Sequence, residues 1–328
     1  QLRGGAREWK EYKAQTTIPS LWPGGWWRLR DIVEQKKIAA WAMLDVAARN
    51  RETVVRNAYL KSSRQRDRGA SGTPRAFVVP TTQHDGLTAT KMINTLLLSD
   101  IEILRAEASF TVGNRTYGAG SFVIPLAQPK MGLVRNLLDR TLYPDNEWTR
   151  NRDGAPLRPY DSATHTMAEF MGVRVDPITV AFDAELVELE DQLPLDGRVE
   201  PSPTGHLLDG RLNDSFRAVN LMLAEGLAVR RVDAASPGFR PGDFVVSAGA
   251  PAKLERIAAA TGVDFKALGG RPSADHEVEP LRTAMYQGFW GGNMDEGWTR
   301  LVLETFDFPY TSIKDSEINA GGLRSRFD

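Results

Sequence analysis

Two stretches, Arg75-Ala76-Phe77-Val78-Val79-Pro80 and Gly120-Ser121-Phe122-Val123-Ile124, decide how this chain reads. Each is a short apolar run bounded by Pro or Gly, the pattern of a buried strand. Between them Leu87 to Ser99 has helical spacing and Ile101 to Ala106 is a further strand, and Met131 to Arg140 is helix-like afterwards. The same order returns later. Gly205 to Leu208, Phe216 to Glu225, Leu227 to Val232, Gly242-Asp243-Phe244-Val245-Val246 and Ala252 to Ala260 are strand, helix, strand, strand and helix in turn. The chain therefore reads as repeated β-α-β-β-α units. Short apolar strands beneath helices predict a multi-domain α/β architecture with mainly parallel sheets.

At 328 residues the chain exceeds one small core. Four segments follow from the pattern. Residues 1–73 hold a Trp-rich segment and a long bridging helix. Residues 74–204 are a first α/β domain with a long loop insert, 205–270 a second unit resembling it, and 280–328 the start of a third. The net charge of -1 gives no bulk electrostatic reason to expect nucleic acid. No apolar run approaches the ~18 residues that a membrane span requires. With no cysteine, disulfides, thiolate metal sites and a cysteine nucleophile are excluded within these residues. The start at Gln1 and the end at Asp328 read as cuts in a longer polypeptide.

Pro19 to Trp27 is incompatible with a regular helix, because its prolines fix the backbone and its glycines favour turns. Trp22, Trp26 and Trp27 must be covered or must bind something, since each indole carries a large apolar area. They are read as a lid packed across a domain edge or as a ligand platform. Asp31 to Lys61 is a long helix candidate, with Asp31 as cap and Glu34 at the capping-box position. Ser62 to Thr73 reads as a polar linker.

Candidate chemistry is sparse. Gln83-His84-Asp85 follows the first strand, and Gln128 follows Phe122 to Pro125. Those are strand ends, where open α/β folds place ligands. His84 has the chemistry of a base, with Asp85 as its orienter or as a helix cap. Equally, Asp85 and Gln128 have the chemistry to satisfy backbone donors in tight turns. Tyr160, Asp161, Ser162 and His165 form a polar cluster, but the glycine-flanked serine of a nucleophile elbow is absent. His276 and Glu279 have metal-compatible spacing, yet no third ligand follows and the segment reads as a linker. No metal ligand set and no phosphate-binding glycine loop emerges.

Several pieces resemble large bacterial proteins of the M14 zinc carboxypeptidase class. They are Trp22-Pro23-Gly24-Gly25-Trp26-Trp27-Arg28-Leu29-Arg30-Asp31-Ile32-Val33, Ala127-Gln128-Pro129, Leu142-Tyr143-Pro144-Asp145, Pro159-Tyr160-Asp161, Met171-Gly172-Val173 and Asp295-Glu296-Gly297-Trp298-Thr299-Arg300. The resemblance covers nearly the whole chain. It implies a region downstream of the catalytic domain, running into the start of a class I amidotransferase-like domain. The parent would be a secreted, periplasmic or extracellular hydrolase of C-terminal peptide or amide bonds. Its zinc would sit in the upstream domain, and this segment would hold no cofactor. The family's zinc ligands and general base map onto no position here.

Three functions follow. The first is a non-catalytic accessory scaffold, whose partner is the upstream catalytic domain or its cleaved fragment. The second is a glycan- or peptide-binding module working in a homo-oligomer or a cell-envelope assembly, with the tryptophans as platform. The third is an independent enzyme in which the Gln83-His84-Asp85 and Tyr160 to His165 loops share one cleft.

Overall fold

The computed structural model describes residues 13, 14, 16, 19–140, 142–159, 165–288 and 294–328. The chain divides into two compact units that meet between Lys61 and Ser62.

The first unit is dominated by α1 (Leu29–Arg49), followed by the start of α2 (Arg51–Ser71). Asp31 in the first turn accepts the Arg28 N–H at 2.8 Å, satisfying one of the donors a helix start leaves open. Asn50 separates the two helices without ending the rod. Its N–H donates to Val46 O and its carbonyl accepts from Val54 N–H, both at 3.0 Å. The sequence expectation of a polar linker over Ser62 to Thr73 is corrected here, because the helix runs through Ser71. Ser62, Ser63 and Gly69 resemble helix breakers. Gly69 has a packing reason to be glycine: a Cβ there would lie 1.6 Å from the Leu126 carbonyl oxygen.

The second unit contains two lobes of the same topology. In lobe 1 the elements are β1 (Ala76–Val79), α3 (Gly86–Leu98), β2 (Leu104–Ala106), β3 (Phe110–Val112), β4 (Arg115–Tyr117), β5 (Phe122–Pro125), α4 (Met131–Leu138), α5 (Met167–Met171), β6 (Asp176–Ile178) and β7 (Leu186–Glu188). Lobe 2 has β8 (Gly205–Leu208), α6 (Asn213–Ala224), β9 (Val229–Val232), β10 (Phe244–Ser247), α7 (Pro251–Thr261), β11 (Lys266–Ala267) and β12 (Asp275–Glu277). The strand orders are β6-β1-β5-β2-β7 and β11-β8-β10-β9-β12. With the β3–β4 hairpin set aside, the two sheets are identical, and each is a split β-α-β arrangement. The helices repeat as well. The buried positions Ala89, Met92, Ile93 and Leu96 of α3 have the same spacing as Ser215, Ala218, Val219 and Met222 of α6.

Every ladder in these two sheets is antiparallel, which corrects the expectation of mainly parallel sheets. The physical reason lies in β1. Phe77 and Val79 pack with Met92, Ile93, Leu96 and Val134 beneath the helices. Ala76 and Val78 pack on the opposite face with Phe110, Val112 and Tyr117 of the hairpin. A strand covered on both faces loses its alternation whatever the direction of its neighbours. Lobe 2 is built the same way, with Leu208, Phe244 and Val246 under α6 and α7, and Val232, Val245 and Phe239 on the other face.

A parallel ladder follows in the last segment, where β13 (Thr283–Tyr286) and β14 (Tyr310–Ile313) are joined through α8 (Met294–Thr305). The helices α9 (Asp315–Ala320) and α10 (Leu323–Arg326) complete it. This segment is tied to lobe 2 by the Asn220 amide donating to Phe306 O at 2.9 Å and by the Arg217–Asp307 ion pair at 2.8 Å. The stretch from Gly269 to Pro280, read as a linker, contains β12, which extends the edge of the lobe 2 sheet beside β9. Among the described residues no helix is long and apolar enough to cross a membrane.

Candidate functional site

The polar residues at the strand ends are committed to the backbone. Gln128 is fully buried. Its amide nitrogen donates to Glu102 O at 3.1 Å and Pro125 O at 2.6 Å, and its oxygen accepts from Glu102 N–H at 3.0 Å. It thereby satisfies the backbone of Glu102, just before β2, and the carbonyl that ends β5. Gln83 spans two segments in the same manner. It donates to Pro80 O at 2.8 Å and Arg174 O at 3.1 Å, and accepts from Arg174 N–H at 2.9 Å.

Asp85 caps two helices at once. Its Oδ1 accepts from the Thr88 N–H at 2.9 Å, closing the start of α3. Its Oδ2 accepts from the Thr88 hydroxyl at 2.8 Å and from the Asn213 N–H, the first of α6, at 2.9 Å. Leu212 stands at the cap position of α6 and has no polar side chain to do this work, so lobe 1 supplies the acceptor. Next to it Lys91 donates to both oxygens of Asp214, at 2.6 and 2.7 Å. The Asp214 side chain is 2% exposed, and it lies in the first turn of α6, where the helix dipole favours a negative charge. Leu87 adds an apolar contact by packing on the lobe 2 core. Two helix starts, one from each lobe, are joined into a single polar junction.

Beside the junction opens a cleft of about 430 Å³, within the range of small-ligand sites. Lobe 1 contributes Val79, Thr81, Leu87 and Phe122. Lobe 2 contributes Asp209, Leu212, Asp264 and Lys266. Asp209 is gripped by Arg211 and Arg240, each at 2.7 Å. Burial pushes its carboxyl up, but the hydrogen bonds from Arg211 and Arg240 outweigh that and hold it well below the usual carboxylate range. Asp264 accepts the Arg198 N–H at 3.0 Å through Oδ1. Sequence reasoning missed Asp209, Asp264 and Lys266, since single charged residues after apolar runs carry no signal of their own.

Gln83 reaches this cleft. His84 and His165 are exposed, and neither is among the described residues that line it. Tyr160 and Asp161 lie outside the described residues. His206 is buried, with Nε2 2.9 Å from Glu200 O and its ring edge-on to Phe265. His276 pairs through Nδ1 with Asp233 at 2.7 Å on β12. Among the described residues no group of three or more His, Cys, Asp or Glu is placed to hold a metal ion.

Trp22, Trp26 and Trp27 are 42%, 86% and 59% exposed. The Trp22 and Trp27 rings meet edge to face with centroids 5.6 Å apart. Comparison with family models, with curated proteins and with solved structures finds no match.

Proposed function

We propose that this chain is a non-catalytic accessory scaffold of a secreted zinc metallocarboxypeptidase-like polypeptide. The parent's activity would be hydrolysis of C-terminal peptide or amide bonds. The motifs around Trp22 to Val33 and Asp295 to Arg300 support the parentage by resemblance. One observation carries the scaffold role: the side chains with the chemistry for a strand-end site, Gln83, Asp85 and Gln128, are spent on backbone groups that hold the turns and the lobe junction. Among the described residues no group of three or more His, Cys, Asp or Glu is placed to hold the zinc that the parent's chemistry would use.

The test is direct. The chain, incubated with Zn²⁺, is expected to release no C-terminal residue from a panel of peptides, as followed by mass spectrometry. Zinc-dependent release that persists after repurification would overturn the reading.

The exposed indoles favour a second role, a binding platform for cell-envelope glycan. A Trp26→Ala, Trp27→Ala double variant is then expected to lose co-sedimentation with bacterial cell-wall glycan while its melting temperature stays within about 2 °C of the parent, since exposed substitutions shift stability little. A collapse in melting temperature would assign the indoles to packing.

A further inference from the structure

The cleft between the lobes combines a defined size with two charges of opposite sign that the fold does not neutralise. Phe265 is fully buried, and its neighbours Asp264 and Lys266 are both exposed. The alternation puts both charged residues on the outward side, and two extended residues span about 6.6 Å between their Cα atoms. Lys266 forms no ion pair among the described residues, and it does not reach Asp264. Asp264 uses only Oδ1 on Arg198, which leaves Oδ2 open. Asp209 differs, because Arg211 and Arg240 already neutralise it. The same cleft is lined by the apolar residues Leu87, Leu212 and Phe122.

A cation alone would meet Lys266, and an anion alone would meet Asp264. A ligand carrying both charges on a short apolar body satisfies each group, and burying charge is favourable only when it is paired. We infer that the cleft binds a small zwitterion of dipeptide size, with its ammonium at Asp264, its carboxylate at Lys266 and its side chain against Leu87, Leu212 and Phe122. This rests on the accessory reading only in treating the cleft as a site of binding and not of reaction.

Isothermal titration of the whole chain with glycyl-leucine, its N-acetyl derivative and its C-terminal amide tests the assignment. Free glycyl-leucine is expected to bind saturably, and blocking either end should weaken it at least about tenfold, the effect of losing one charge-assisted hydrogen bond. Lys266→Met should bind the free dipeptide and the amide equally. Asp264→Asn should bind the free and N-acetylated forms equally. Both side chains are exposed, and unchanged melting curves would show that the variants remain folded. Absence of saturable binding at millimolar dipeptide, indifference to either block, or a variant that retains full discrimination would each overturn the proposal. None of these results bears on zinc-dependent hydrolysis, so failure here and failure of the scaffold reading are distinguishable.

Discussion

Asp85→Ala is expected to destabilise both lobes, by about 3 kcal/mol in total. The α3 cap alone is worth about 1 kcal/mol. The carboxylate also holds the Thr88 hydroxyl and the Asn213 N–H, and charge-assisted bonds to buried groups contribute about 1.5–3 kcal/mol each before relaxation. Alanine leaves these donors without an acceptor beside the buried Asp214. For a folded unit of this size the loss corresponds to a fall of roughly 5–10 °C in melting temperature. Asp85→Asn keeps one acceptor oxygen and its shape, so its loss should be intermediate. A melting temperature unchanged by Asp85→Ala would show that the junction contributes nothing to stability.

The second large effect has a sign opposite to helix propensity. Replacing a glycine inside an exposed helix with alanine ordinarily stabilises by about 1 kcal/mol. At Gly69 the new Cβ would stand 1.6 Å from Leu126 O and 2.2 Å from the Leu126 carbonyl carbon. Both are backbone atoms of the turn that Gln128 holds rigid, so neither yields cheaply. Separating α2 from that turn also loosens Gln65 from its place beside Gly132. Gly69→Ala is therefore expected to cost about 3 kcal/mol, at the upper end of overpacking effects, read as a lower urea midpoint. Gly86→Ala is the contrast, because nothing lies within 4 Å of a Cβ there. It should be neutral or slightly stabilising. A raised midpoint for Gly69→Ala would mean that α2 does not approach lobe 1 this closely.

These two positions show what was legible in the sequence. The run lengths around Phe77, Val123, Leu208 and Val245 located the strands, and the spacing through Met92 and Val219 located the helices, because burial writes apolar periodicity into the chain. Strand direction is not written there. The β1 run is apolar on both faces because helices cover one and the β3–β4 hairpin covers the other. The same run would serve a parallel sheet. Gly69 looked like punctuation in a linker and is a close approach of two backbones. Asp85 was recognisable as a helix cap, but its second partner, Asn213, lies 128 residues away and no local pattern announces it. The cleft charges are invisible for another reason, since a single charged residue after an apolar run looks like any solvated surface group. Asp209, Asp264 and Lys266 all belong to lobe 2, and the cleft around them is completed by Val79, Thr81, Leu87 and Phe122 of lobe 1.

The duplicated lobes, joined at Asp85 and at Lys91–Asp214, are expected to open as one cooperative unit. The decisive readout is native-state hydrogen exchange of the β5 amides of Val123 and Ile124 and the β10 amides of Val245 and Val246. Both strands should exchange with the same opening free energy, and Asp85→Ala should lower the two together. Exchange of one strand at a distinctly lower free energy, or a response to Asp85→Ala confined to one lobe, would contradict this.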